Sequence, residues 1–142
     1  MTALSSIDFP VLTALVSALA AFALGMFWYH PRVMGARWME ARGRSATDLQ
    51  PQGVTMVYTF LLWLVSACFY SFLAELLGAH SVSAFISLSC LFWVAFAMPP
   101  TLMGALYTGN SMNAVAIDSG YQLAGYYAFA VVHIIMNAAV AG

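Results

Sequence analysis

GMFWYHPRVMGARW, residues 25–38, decides how the rest of the chain is read. A long apolar run arrives at a Trp-Tyr pair, meets Pro31 and passes straight into arginines. Trp28 and Tyr29 carry amphipathic rings that suit the headgroup level of a bilayer. Pro31 disfavours helix at His30 and turns the chain out of the run. Beyond it, Met34, Trp38 and Ala41 recur at spacings of four and three, and Arg37, Glu40 and Arg44 recur at three and four. The two faces predict a short amphipathic helix lying in the interface, with its arginines near anionic lipid.

Composition agrees with a membrane exit. Of 142 residues, 63% are hydrophobic and 6% charged. A soluble domain is about 45–50% apolar and about 25% charged. Four basic and five acidic side chains could not cover so much apolar surface in water, so lipid must solvate the outside. The net charge of −1 gives no field that would draw in nucleic acid. Cys68 and Cys90 lie inside apolar runs without metal-type spacing and read as small buried hydrophobes. No cofactor or metal site is indicated.

A hydrocarbon core of about 30 Å needs roughly 20 apolar residues per helix. Four stretches qualify, over about 10–29, 54–77, 82–106 and 121–140. Asp8 is placed to cap the first, with Pro10 in its first turn, where a missing N–H costs little. A cleaved signal peptide would want a basic start and a short apolar centre; Asp8, the lack of Lys or Arg and the full-length run favour a span instead. All four arginines fall between the first and second runs. Short loops rich in Lys and Arg stay on the cytoplasmic side, which predicts both termini outside a bacterial cytoplasmic membrane.

The stretch Gly25 to Trp38, read as G-M-F-W-Y-H-P-x-x-x-G-x-x-W, also resembles the opening signature of domain of unknown function family 1761. Leu106 to Leu123 (LYTGNSMNAVAIDSGYQL) is similar to that family's segment before its last span. The two blocks bracket most of the chain. The family often has a His after the Gly-Tyr pair, where this chain has Gln122. The resemblance implies a small bacterial four-span membrane protein and marks Gly25, Trp28, Tyr29, Pro31, Gly35 and Trp38 as motif positions. It carries no activity, so no catalytic residue follows from it.

Polar groups inside apolar runs are costly in lipid. Gln122, Tyr126, His133 and Asn137 stand four, seven and four residues apart, on one face of the last helix. They can line a pathway, relay protons or simply join helices, each interhelical hydrogen bond being worth about 0.6 kcal/mol. Glu75 is the one acid inside a run, with His80 in the turn beyond. It can face water or pair with His133 or Asn137. Met98-Pro99-Pro100 predicts a kink and strips donors from carbonyls near residues 95 and 96. Thr101 and Gly104 beyond it would admit a close helix. Ser17, Ala21 and Gly25 form an edge that permits tight helix packing, within the chain or between chains. Phe27-Trp28 and Phe92-Trp93 echo each other. In the loop from 107 to 120, Asn110 or Ser111 can cap a short helix ending near Gly120, and Asp118 can face an arginine of the first loop, a pair worth about 0–1 kcal/mol.

The expected fold is all-α: one membrane domain over 1–142, with four spans in a bundle and a short interfacial helix after the first. No metalloprotease, nucleophile-elbow, P-loop or dinucleotide motif occurs. The leading functional reading is a membrane protein that binds or passes a small molecule, ion or lipid, as a homo-oligomer in contact with membrane lipid. A structural or accessory subunit is the alternative. A membrane enzyme using His133 as acid or base is the third.

Overall fold

A computed structural model describes residues 10–45 and 53–141. It is an all-α bundle, with no strand among the described residues. The helices are α1 (Val11–Trp28), α2 (Ala36–Ala41), α3 (Gly53–Leu76), α4 (Val82–Phe92), α5 (Met98–Thr108) and α6 (Met112–Ala141). A π-helical turn, Pro31–Gly35, leads into α2, and a second, Trp93–Ala97, joins α4 to α5. Four helical stretches are long and apolar enough to cross a bilayer: α1, α3, the joined pair Val82–Thr108 and α6. The expected cap at Asp8 and the polar link at 46–52 lie outside the described residues.

The bundle differs from a soluble one on its outer surface. Leu12, Leu62, Phe69, Leu106 and Ile135 are exposed, while Ser17, Ser71, Ser89 and His133 are buried. Lipid contact explains the outside, where apolar side chains cost nothing; inside, Ser71, Ser89 and His133 are hydrogen-bonded, whereas Ser17 Oγ has no partner among the described residues. The small-residue edge of α1 turns inward. Ala14, Ser17, Ala18 and Ala21 are almost fully buried. This edge therefore packs within the chain, against α3 and α6. Aromatic rings of α3, α4 and α6 fill the centre, with Trp63, Tyr70, Phe92, Tyr126 and Phe129 meeting edge-on or tilted at centroid distances of 5.3–5.8 Å.

Cys90, expected to be buried, is exposed, and Cys68 is half-buried; two expectations about the helices also change. The short helix that was to end near Gly120 runs on without a break, so α6 begins at Met112 and not near Tyr121. Gly120 is no stop here; a Cβ on it would touch the Trp28 ring at 3.4 Å. Gly104, expected to admit a neighbour, faces open space. The kink at Met98-Pro99-Pro100 takes a definite form. Neither proline can donate to the helix, and the turn before them widens, with the Met98 N–H bonded to the Trp93 carbonyl. Thr101 Oγ1 donates to the Ala97 carbonyl at 2.8 Å.

A cleft under the membrane exit

The opening stretch closes on the last helix. Asp118 receives three donors: Tyr29 Oη and Trp38 Nε1 at 2.7 Å on Oδ1, and Arg42 Nη2 at 2.7 Å on Oδ2. Burial first, and then the hydrogen bond to Asp118, push the Tyr29 phenol well above its ordinary range, so it stays a donor. Arg42 lies over the Trp38 ring, 4.8 Å from its centroid. Trp28 Nε1 donates to the Ile117 carbonyl at 3.2 Å. The echo of Phe27-Trp28 in Phe92-Trp93 has a counterpart here, since Trp93 Nε1 donates to the Ser119 carbonyl at 2.9 Å.

The motif glycines are where the chain must come close. A Cβ on Gly25 would collide with the Tyr121 ring, and one on Gly35 with the Tyr29 carbonyl. Pro31 begins the π turn, and Gly35 N–H reaches the His30 carbonyl at 3.1 Å. This turn directs Trp38 and Arg42 back toward α6. One level deeper, Tyr121 Oη donates to the Ala21 carbonyl at 3.0 Å and accepts from Trp63 Nε1 at 2.7 Å. That hydroxyl ties α1, α3 and α6 together.

Beside this cluster lies a cleft of about 500 Å³. One wall is α3, with Thr59, Leu62, Trp63 and Ser66; the other is Phe96, Ala97, Pro100 and Thr101 around the second π turn. The floor is α6, with Asp118, Tyr121, Gln122 and Tyr126, and Tyr29 closes one end. Leu62 and Phe96 are 69% and 62% exposed, so the cleft opens sideways onto the apolar surface. α3 and α4 stay joined near their hairpin, where Tyr70 Oη donates to the Phe85 carbonyl at 2.9 Å, and the walls part toward the α2 end. Gln122 Nε2 donates to Thr101 Oγ1 at 3.1 Å across the floor.

The polar stripe of α6 thus divides. Gln122 and Tyr126 line the cleft. His133 does not: it is 3% exposed and enclosed by Tyr70 and Phe85. Its Nδ1 lies 2.8 Å from the Phe129 carbonyl and its Nε2 3.0 Å from Ser71 Oγ. A carbonyl only accepts, so Nδ1 carries the hydrogen and the neutral ring accepts from Ser71 at Nε2. Asn137 is half-buried one turn beyond, and Glu75 is exposed. Among the described residues no hydrogen bond or ion pair joins Glu75 to His133 or Asn137. Among the described residues no group of three or more His, Cys, Asp or Glu side chains could hold a metal.

Sequence reasoning named Asp118 only as a partner for an arginine. It missed the cleft, whose walls come from Thr59, Trp63, Ser66 and Thr101 on helices that are remote in sequence. The available signals were Gln122 and Tyr126 on the α6 stripe and Pro99-Pro100, which marks an interrupted wall.

Four crossings with apolar outer surfaces define a multi-pass membrane protein. The family model described as protein of unknown function (DUF1761) matches residues 12–134, and the chain belongs to that family. No curated protein and no solved structure matches it.

Proposed function

We propose that the protein binds a small lipophilic molecule that reaches the cleft from within the bilayer. One observation carries this reading: the cleft is open to the apolar surface and lined by aromatic rings, a few hydroxyl and amide groups and one carboxylate. Its volume of about 500 Å³ lies in the range of small-molecule sites, roughly 300–1,000 Å³, where few polar groups set orientation. Binding is favoured over passage through the bundle, because Trp63, Tyr70, Tyr126 and Phe129 close the centre between the cleft and His133. Passage would call for an oligomer; binding does not.

The positive-inside rule supports a cytoplasmic address for Arg32, Arg37, Arg42 and Arg44, with both termini outside, in a bacterial cytoplasmic membrane. The cleft then opens in the inner leaflet. The accessory-subunit reading keeps support from the far half of α6, where His133 works as a link between helices.

Native mass spectrometry of protein released from gently extracted membrane tests the proposal. A molecule retained at one per chain, and lost on Ser66→Trp, is the expected result. Retention that ignores Ser66→Trp in a folded protein would place the bound molecule elsewhere.

A further inference from the structure

We infer that the preferred occupant of the cleft is an organic cation, an alkylated amine or quaternary ammonium with an apolar body. This rests on the cleft being a binding site and specifies its chemistry. Asp118 is the one charged side chain among the residues that line it. Tyr29, Trp63, Tyr121 and Tyr126 line the same cleft. Electron-rich rings with one carboxylate form the surroundings in which quaternary ammonium groups are held.

Asp118 is already neutralised, but from outside. Arg42 does not line the cleft and reaches Oδ2 from the α2 side. Its side chain is 30% exposed and that of Asp118 18%. Solvent reaches both partners and screens the pair in part. Tyr29 and Trp38 both bind Oδ1, so they can stay in place while the partner of Oδ2 changes. A cation in the cleft therefore competes with Arg42 for one oxygen, and its arrival frees the arginine. An anion would meet the carboxylate with no cation on the cleft walls to offset it.

Two probes of the same shape decide the matter: benzyltrimethylammonium and its uncharged isostere neopentylbenzene, titrated into the full chain in zwitterionic nanodiscs. The cation is expected to bind at least tenfold more tightly. Asp118→Asn should abolish that preference. Because this change also removes a charged anchor of α2, Arg42→Gln is the second variant. It keeps Tyr29 and Trp38 on Asp118 and removes the competitor, so it should tighten cation binding two- to fivefold and leave the neutral probe unchanged. Equal binding of the two probes, a preference that survives Asp118→Asn in a folded protein, or weaker cation binding in Arg42→Gln would overturn the cation assignment and leave the cleft as a neutral site. If neither probe binds the folded protein, the small-molecule reading falls with it.

Discussion

Tyr121 shows how much one hydroxyl can organise. It donates to the backbone of α1 and accepts from an indole of α3, while its own helix is α6. Gly25 is bare because this ring occupies the space a Cβ would take. Tyr121→Phe keeps the ring and its volume but leaves Trp63 Nε1 and the Ala21 carbonyl without this partner. An unsatisfied buried polar group costs about 1–3 kcal/mol, so the unfolding free energy in detergent should fall by about that amount and the thermal midpoint should drop with it. A midpoint unchanged from the parent would mean the hydroxyl adds nothing beyond its ring. Residue types alone told part of this. Gly25 was legible as a packing residue, but its partner stands 96 positions away, and no local spacing points there.

Elements were more legible than contacts. Hydrophobic length located α1, α3 and the kinked pair α4–α5 to within a residue or two, because lipid demands long apolar runs. The start of α6 was legible as the short helix that Asn110 or Ser111 would cap, but its continuity was hidden, since Gly120 looks like a stop. Its real constraint is the Trp28 ring lying against it. The stripe on α6 was legible as a face but not as two environments, because period alone cannot say which neighbour a face meets. Gln122 meets Thr101 and the cleft; His133 meets Ser71 and a closed aromatic shell. His133→Ala should therefore lower stability by about 2 kcal/mol or more, from the cavity and the stranded Ser71 hydroxyl. It should leave probe binding in the cleft within about twofold of the parent, since an effect under about 0.4 kcal/mol is less than a factor of two. Loss of binding with intact stability would move the site to His133.

At the scale of the whole molecule, orientation and the end at which the cleft opens are one question. Arg32, Arg37 and Arg44 are exposed around α2, the helix fastened to Asp118 beside the cleft. In a background with Cys68 and Cys90 replaced by Ala, a cysteine at the exposed position Glu40 should resist an impermeant thiol reagent in intact cells and react once the membrane is opened. Ready labelling in intact cells would reverse the topology and put the cleft in the outer leaflet. The fastening of α2 also sets an order of events during synthesis. Trp38 and Arg42 emerge from the ribosome 80 and 76 residues ahead of Asp118. At about 5–20 residues per second, that gap is roughly 4–16 s. Throughout it the first crossing is already made while its exit helix has no acid to hold, and Tyr121, the tie to α3, has not been translated. The nascent chain therefore holds α1 against α3 but leaves α2 unfastened until α6 arrives, and a ribosome stalled before Asp118 would leave Trp38 and Arg42 without the acid that holds them.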